Sequence, residues 1–204
     1  MTDQNNKDIN QAAPQFEINC SRQFVASLIE QNISLCFSTY KSCEIFLLGR
    51  NEQKSLSVFA RTFERAMGLW SDGKTLLMSN LHHLHRFNNT LGAGQGADCY
   101  DRLYVPRISP INGAIDVHDR ALGPDGKPVF INSLFSSLAT ISDTHNFKPL
   151  WQPSFISDLR PEDRCRLGGL AMKGGAPAYV TAISKTNVNE SWRIPVLESS
   201  GEWV

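Results

Sequence analysis

The sequence lacks an excess of charge of either sign, because its 20 Lys and Arg residues balance its 20 Asp and Glu residues. A chain without a basic excess has no global electrostatic attraction to nucleic acid or to an anionic membrane. No apolar run is long enough to span a bilayer, and the polar N-terminus has no signal-peptide core. These absences predict a cytoplasmic protein that binds neither nucleic acid nor membrane.

The sequence also lacks any Cys-x-x-Cys pair. Its five cysteines are Cys20, Cys36, Cys43, Cys99 and Cys165. Their odd number and wide spacing argue against a disulfide framework and against a structural zinc site. Cys165 lies between two arginines that would favour a thiolate nucleophile, but no His is near it in the sequence. A buried structural thiol is the simpler interpretation.

Short apolar runs separated by turn residues fill most of the chain, and three segments look like copies of one another. They are centred on Asp72-Gly73, Asp125-Gly126 and Gly174-Gly175. In each copy an apolar strand runs into a tight turn, a second strand, a polar break and a third strand, which makes a β-meander. The copies recur about every 50 residues, a spacing typical of four-stranded propeller blades. We therefore predict an all-β, propeller-like array of about four meander blades.

Upstream of the copies the sequence predicts a tail, a helix and three strands. Residues 1–15 are polar and aperiodic, so we expect a disordered tail before a propeller-like domain over residues 16–204. Ser21 is placed to cap a short helix with one apolar face. That face comprises Phe24, Val25, Leu28 and Ile29. Strands are expected at Ile33–Tyr40, Cys43–Gly49 and Leu56–Thr62.

After the third copy the chain has room for barely one or two more strands. We expect the array to be incomplete, with open sheet edges through which copies of the chain self-associate. The aromatic and Pro-rich segment 145–166 is expected to be a long packed loop. Six aromatic residues are expected to be buried between neighbouring blades. They are Trp70, Phe130, Phe135, Trp151, Phe155 and Tyr179.

Seven motifs in order resemble a known family. They are RTFERAMGL (61–69), YDRLYVPR (100–107), DVHD (116–119), NSLFSSLATIS (132–142), PLWQPSFIS (149–157), EDRCRLGGLAM (162–172) and YVTA (179–182). They resemble a bacterial family of conserved hypothetical proteins that is classed only as a domain of unknown function. The resemblance implies a propeller fold, but no established activity, substrate or cofactor. Family members have an Asn where this chain has Gly168, and they continue through further blades, so this chain resembles a truncated member.

Candidate binding residues follow from the predicted architecture. In a propeller, ligands bind where the innermost strands and loop ends converge on the axis. Polar residues that precede each copy or end its central strand are therefore the candidates. They are Glu64, Arg65, His118, Asp119, Asn132, Asp163, Arg164 and Thr181. We expect these residues either to bind a small molecule or a peptide, or to hydrogen-bond between blades, which is the commoner role.

Four of these candidates would suit a divalent cation. Glu64, Asp119 and Asn132 offer oxygen ligands, and His118 offers an imidazole. A bound metal would make a water molecule acidic enough to attack an ester, as in propeller lactonases. The sequence thus leaves two functional hypotheses, a ligand- or partner-binding module and, as the alternative, a metal-assisted hydrolase. A third is a truncated copy without independent function. The sequence does not decide whether the protein is an enzyme, and it does not identify a cofactor.

Three further histidines invite a metal interpretation. On a strand His83 and His85 share one side while His82 faces the other, so at best two side chains converge. We expect this cluster to face solvent rather than to bind a metal.

Overall fold

The structure is a computed structural model that describes residues 18–98 and 100–193. Its helices are α1 (Arg22–Glu30) and the 3-10 helix η1 (Ser191–Arg193). Its strands are β1 (Leu35–Thr39), β2 (Glu44–Arg50), β3 (Leu56–Thr62), β4 (Leu69–Ser71), β5 (Thr75–Ser79), β6 (Leu84–Asn89), β7 (Tyr104–Ile108), β8 (Val117–Leu122), β9 (Pro128–Asn132), β10 (Ser137–Thr140), β11 (Lys148–Trp151), β12 (Leu167–Lys173) and β13 (Ala176–Ala182). The tail predicted for residues 1–15 lies outside the described residues. No helix in the described part of the chain has the length and apolar character that a membrane crossing requires.

The strands form four antiparallel sheets, which we call blades 1 to 4 in chain order. Blade 1 contains β1 to β3, blade 2 contains β4 to β7, blade 3 contains β8 to β11 and blade 4 contains β12 and β13. Neighbouring strands in each sheet are also consecutive in the chain, so every blade is a meander or a hairpin. The sheets of the described residues do not close into a barrel. The predicted all-β, propeller-like array is confirmed, in an incomplete form.

The bounds of the strands follow the sequence prediction closely, with one exception. β3 has the predicted bounds, and β1 and β2 differ from theirs by one or two residues. The prediction of a long loop over residues 145–166 is wrong in part, because Lys148–Trp151 forms β11 and pairs with β10. The prolines and aromatic residues that favoured a loop are tolerated there, since β11 is an edge strand.

The three predicted turns join the first two strands of blades 2, 3 and 4. Gly174 and Gly175 both have positive φ, 59° and 82°, as a two-residue primed turn requires. At Asp72-Gly73 only Gly73 has a positive φ, 82°, and the loop spans three residues. The Asp72 carboxylate accepts two backbone N–H bonds across this loop. The prediction of a two-residue primed turn is therefore confirmed for blade 4 and wrong for blade 2.

Helix α1 begins after Ser21, as predicted, and covers blade 1. The Ser21 side chain makes no capping hydrogen bond. The Phe24 N–H instead donates to the Ser21 carbonyl at 3.1 Å. Leu28 on the predicted apolar face is 3% exposed, and α1 contacts β2. The helix thus covers a sheet face that has no neighbouring blade within the described residues.

A hydrophobic cluster lies between each pair of neighbouring blades. The clusters between blades 1 and 2, 2 and 3, and 3 and 4 contain, respectively, Ile45 with Met78, Leu84 with Phe130, and Ile131 with Leu167. Phe130 and Ile131 are both 0% exposed, although they are adjacent and belong to different clusters. Alternate residues of β9 therefore face blades 2 and 4, which is how a strand in the middle of a stack buries both of its sides.

The prediction that six aromatic residues are buried is confirmed for Phe130 and wrong for Trp151 and Tyr179. Half-buried positions are taken by Trp70, Phe135 and Phe155. Trp151 is 38% exposed and Tyr179 is 52% exposed. Both lie on strands with no further strand beyond them among the described residues, β11 in blade 3 and β13 in blade 4. Their positions in the sheet explain the exposure.

Three serine side chains link each blade to the next. The bonds run from Ser38 Oγ to the Met67 carbonyl (2.9 Å), from Ser79 Oγ to the Val117 carbonyl (3.1 Å) and from Ser133 Oγ to the Leu167 carbonyl (2.5 Å). Ser79 ends β5, Ser133 follows β9, and these are the second strands of blades 2 and 3. Ser38 on β1 also donates to the entry segment of the next blade, but its acceptor Met67 follows Ala66, the residue equivalent to Val117 and Leu167. Four residues join β1 to β2, as they join β5 to β6, so β1 corresponds to a second strand. The described part of blade 1 therefore begins without the innermost strand that β4, β8 and β12 provide elsewhere.

Candidate binding site at the convergence of the blades

Arg65, Asp116 and Arg166 occupy equivalent places at the entry to blades 2, 3 and 4. Each directly precedes a residue that is at most 4% exposed. Each has a positive φ, 50°, 51° and 50° respectively. This conformation is unfavourable for residues that carry a Cβ atom. Because the same backbone conformation recurs at the three entries, the three side chains leave the backbone in a similar way where the blades converge.

These three side chains and Asp163 form a chain of ion pairs. Arg65 Nη2 lies 2.5 Å from Asp116 Oδ1, and Arg166 Nη1 lies 3.8 Å from Asp116 Oδ2. Arg166 Nη1 also lies 2.5 Å from Asp163 Oδ2. Two guanidinium groups alternate with two carboxylates, so their charges compensate. The chain crosses from blade 2 through blade 3 to blade 4 and ties their entry segments together.

Each arginine in this chain of ion pairs also contacts an aromatic side chain. Arg65 Nη2 donates to the Tyr40 hydroxyl at 2.8 Å, and Arg65 Cζ is 5.1 Å from the centre of the Tyr40 ring. Arg166 Cζ is 4.8 Å from the centre of the Trp192 ring. Both arginines therefore make a cation–π contact as well as an ion pair. The connected side chains extend from the end of β1 to η1.

His118 lies beside the ion pairs, at a β-bulge in β8. The register between β8 and β9 shifts between Val117 and Arg120, which places His118 inside the bulge. Bulges re-aim side chains and are common next to functional sites. Nε2 of His118 is buried and has no hydrogen-bond partner within the described chain. Burial and then the positive charge of Arg166 lower the pKa of His118, so its ring is neutral at pH 7.

His118 and Tyr40 line one open depression of about 240 Å³. The remaining lining comes from Ser38 on blade 1 and from residues 66–69 at the entry to blade 2. Gly68 lets the blades approach, because a Cβ atom there would lie 3.1 Å from the His118 carbonyl oxygen. The Tyr40 hydroxyl accepts a bond from Arg65 and keeps its own hydrogen for a ligand. Three blades thus build one depression, and its lining includes a phenolic hydroxyl and an imidazole ring.

Asp119 and Asn132, two of the predicted metal ligands, bond to the backbone. Asp119 Oδ1 accepts from the Arg120 N–H at 2.7 Å, and Oδ2 accepts from the Leu170 N–H at 2.8 Å. The second bond ties blade 3 to blade 4. Asn132 is 0% exposed, and its Oδ1 accepts from the Phe135 N–H at 3.1 Å. The Asp119 bond to Leu170 therefore runs between blades, whereas the Asn132 bond stays within blade 3.

The remaining candidates lie apart from the depression. Glu64 is exposed, and Thr181 Oγ1 accepts from the Gly169 N–H at 2.7 Å. Arg164 is 6% exposed and pairs with Glu162 at 2.7 Å and Asp158 at 2.8 Å. Of the predicted set, the structure brings together Arg65, His118 and Asp163. Within residues 18–98 and 100–193, no group of three or more His, Cys, Asp or Glu side chains is arranged to hold a metal ion.

Cys165 is a buried structural thiol, as the simpler interpretation holds. It is 0% exposed and belongs to the cluster between blades 3 and 4. Burial raises the pKa of its thiol, so the thiol stays protonated at neutral pH.

The histidine cluster matches the prediction of alternating faces but not the prediction of exposure. His82 is exposed, and the rings of His83 and His85 stack at 5.4 Å. His85 also contacts the rings of Phe63 and Phe87 at 5.4 and 5.8 Å. His85 is therefore part of the packing of blade 2.

Asp116 and Arg166 do not match in the sequence when the three copies are aligned on their turns. That alignment makes Leu122 equivalent to Ala171. The matching bulges in β8 and β12 instead make Arg120 equivalent to Leu170. A signal was present in the sequence, since a charged residue directly precedes an aliphatic residue, Ala66, Val117 or Leu167, at the entry to each of blades 2, 3 and 4.

A stack of meander blades with a polar depression where the blades converge defines an all-β protein of the propeller-like class. Over residues 22–201 the chain matches the model of the family described as Domain of unknown function (DUF4915). The chain belongs to this family, which confirms the family assignment made from the seven motifs. No curated protein and no solved structure matches the chain.

Proposed function

We propose that the protein is a binding module and that its depression holds a small polar molecule, or a polar group of a peptide, without net charge. The observation that carries this proposal is the pairing of Tyr40 and His118. They come from different blades, line the same depression and have hydrogen-bonding capacity that the described chain does not use. Binding sites in proteins characteristically combine a few such polar groups with apolar walls.

The surroundings of the depression support an uncharged ligand. Arg65 and Arg166 are matched by Asp116 and Asp163, so the adjacent side chains favour neither an anion nor a cation. His118 is neutral at pH 7, so it serves as a hydrogen-bonding group rather than as a charge. The apolar part of a ligand would pack on residues 66–69.

The size of the depression limits the ligand. A volume of about 240 Å³ corresponds to roughly eight water molecules at liquid density. That space is enough for a monosaccharide or a single amino acid. A second depression of about 340 Å³ is lined by Ser142, Thr144, His145, Phe147, Lys148 and Pro149. Its lining comes from one loop of blade 3 and the start of β11, so it offers a matched comparison site.

The experiment is a screen of neutral monosaccharides and zwitterionic amino acids by saturation-transfer NMR. Tyr40→Phe and His118→Gln each remove or move one polar group while leaving most of the side-chain volume. We expect a bound molecule to lose affinity by about tenfold in each variant, equivalent to one hydrogen bond. His145→Gln changes the second depression and should leave binding unaltered. The proposal would be contradicted if no molecule binds, or if binding is unchanged in both Tyr40→Phe and His118→Gln.

The metal-assisted hydrolase around Glu64, His118, Asp119 and Asn132 stays a prediction. Its direct test is elemental analysis of the purified protein, followed by ester hydrolysis with and without added divalent metal. Stoichiometric metal that is lost in His118→Ala would support this alternative. A metal-free protein without esterase activity would leave the binding module as the better account.

A cytoplasmic location is also a proposal, supported by the state of the cysteines. Cys20, Cys36, Cys43 and Cys165 are free thiols in the described chain. Free thiols of this number are typical of a reducing compartment. Fractionation of cells that produce the protein would test it, and recovery outside the cytoplasm would contradict it.

A further inference from the structure

We propose that the protein binds a small inorganic anion, of the size and charge of chloride, in the interface between blades 2 and 3. Arg120 on β8 supplies the positive charge of this site. The site is separate from the depression that Tyr40 and His118 line, so it does not depend on the ligand proposed for that depression.

Arg120 is a buried cation without a counter-ion among the described residues. It is 2% exposed, and Nε and Nη1 of its guanidinium group are buried with no hydrogen-bond partner in the described chain. The ion pairs between described residues do not include it. Burial lowers the pKa of Arg120 to about 9, so the group still carries its charge at pH 7. A buried charge is costly unless it is paired, and a bound anion would pair this one.

The pairing of the strands places Arg120 on the face of blade 3 that meets blade 2. Arg120 pairs with Phe130 across β8 and β9, and directly paired residues of an antiparallel sheet share a face. Phe130 belongs to the cluster between blades 2 and 3 and is 0% exposed. The side chain of Arg120 therefore enters this interface and not the solvent.

Blade 2 brings a second arginine to the same interface. Leu77 on β5 pairs with Arg86 on β6, so these two side chains share a face. Leu76 and Met78, at the alternate positions of β5, belong to the cluster with blade 1, so Leu77 faces blade 3. In agreement, Arg86 Nη1 donates to the Gly126 carbonyl in blade 3 at 3.4 Å. Two cationic side chains thus enter the interface from opposite blades, which favours a negative charge between the blades.

Two more unpartnered donors lie on the same face of blade 3 as Arg120. Asn132 and Ser137 pair across β9 and β10, and both are 0% exposed. Asn132 Nδ2 and Ser137 Oγ have no hydrogen-bond partner within the described chain. Asn132 is a diagonal neighbour of Arg120, and diagonal neighbours lie about 7–8 Å apart, within reach of a long side chain. Amide, hydroxyl and guanidinium donors suit an anion, which only accepts hydrogen bonds.

The packing of the interface limits the anion to a small one with a single charge. Leu77 and Phe130, one from each blade, are both 0% exposed, so the interface between them is closed to solvent. A monovalent ion compensates the single buried guanidinium group, whereas a phosphate ion is larger and carries more charge. Chloride also accepts hydrogen bonds from any direction, so it suits donors that come from different strands.

Thermal unfolding of the full chain, with chloride replacing gluconate at constant ionic strength, tests the proposal. An ion that binds only the folded state stabilises it, so the melting temperature should rise by about 3 °C and level off above about 0.1 M chloride. Gluconate is too bulky for a closed interface. The series therefore separates binding of chloride from screening by salt.

Three variants assign the effect to the interface. Arg120→Met keeps the length of the side chain and removes its charge, so this variant should lose the rise in melting temperature. Arg160→Met is the matched control, because Arg160 is exposed, and it should keep the full rise. Arg120→Lys keeps the charge with fewer donors, so its rise should require about tenfold more chloride.

Chloride NMR of the native chain provides a second measurement. Exchange with the buried site should broaden the chloride signal, and added bromide should narrow it by displacing the bound ion. This measurement and Arg120→Lys decide the question even if Arg120→Met does not fold. The proposal is wrong if the native melting temperature is the same in chloride and gluconate, if Arg120→Met keeps the rise, if Arg120→Lys responds to chloride as the native chain does, or if the chloride signal is not broadened.

Discussion

At the scale of single residues, the structure explains why charged side chains stand at strained positions. Arg65, Asp116 and Arg166 all have positive φ, which costs energy in any residue with a Cβ atom. Their side chains meet in ion pairs that join the entry segments of blades 2, 3 and 4. The strained residues are therefore the same ones that form the ion pairs between neighbouring blades.

Asp116→Asn should destabilise the fold, because it removes the charge shared by two arginines. We expect a loss of about 1–2 kcal/mol in the free energy of unfolding, since these pairs are only partly screened by solvent. Asn tolerates the positive φ at this position, so the backbone should not add to the effect. Urea denaturation would measure it. Asp101→Asn is the control, because its pair with Arg102 is exposed and should be worth under about 0.5 kcal/mol. Equal effects in the two variants would contradict the account.

His85 should make the fold sensitive to mild acid. Burial, with the charges of His83 and Arg120, lowers the pKa of His85 from 6.5 to about 4. The folded state therefore binds its proton less readily than the unfolded state, and stability falls as pH drops from 6.5 towards 4. His85→Phe should show a smaller loss of stability over that range while behaving like the native chain at pH 8. His118, whose pKa is also lowered, would maintain part of the dependence. An unchanged pH profile in the variant would count against this role of His85.

At the scale of the elements, the second strand of a blade has two roles. It pairs with its neighbours in the same sheet, and it bonds to the next blade. Ser38, Ser79 and Ser133 each donate to a carbonyl of the following blade. The sequence shows no obvious serine repeat, because these residues sit at slightly different places relative to the ends of β1, β5 and β9. Only the three-dimensional structure shows that all three side chains reach the entry segment of the next blade.

Ser79→Ala should weaken the link between blades 2 and 3. Ser79 is 0% exposed and donates to the Val117 carbonyl at 3.1 Å. That carbonyl also accepts from the Gly68 N–H, so it stays satisfied, and we expect a modest loss of about 1 kcal/mol. Thermal unfolding of the variant and of the exposed control Ser55→Ala would show it. A melting temperature equal to that of the control would mean that the serine links contribute nothing.

Substitution of aromatic residues should separate core strands from edge strands. Phe130 on β9 is 0% exposed, so Phe130→Ala should cost about 3–5 kcal/mol. Trp151 on the edge strand β11 is 38% exposed, and Trp151→Ala should cost under about 2 kcal/mol. Chemical denaturation of both variants would compare them. A larger effect at Trp151 would contradict the assignment of β11 as an exposed edge.

At the scale of the whole molecule, the sequence predicts the architecture better than the site. Alternating apolar runs and turn residues are local signals, so the meanders, the helix and most strand bounds could be derived from them. The equivalence of Asp116 and Arg166 becomes visible through bulges that shift the register of β8 and β12. No local sequence pattern predicts these bulges. The exposure of Trp151 depends in the same way on which strand ends the sheet.

The open array also explains why the blade interfaces carry the stability of the chain. Each hydrophobic cluster is shared by neighbouring blades, so no blade buries its core alone. The ends of such an array are its weakest points, and the edge of β1 that pairs with no other described strand is one of them.

The most direct test of the binding site follows the imidazole signals of the five histidines during titration with the tightest-binding neutral molecule from the screen. His118 lines the depression at the convergence of the blades, and His145 lines the second one on blade 3. The account predicts saturable shifts of the His118 signals while those of His145 stay constant. Shifts at His145 alone, or shifts that grow without saturation at all five histidines, would contradict it.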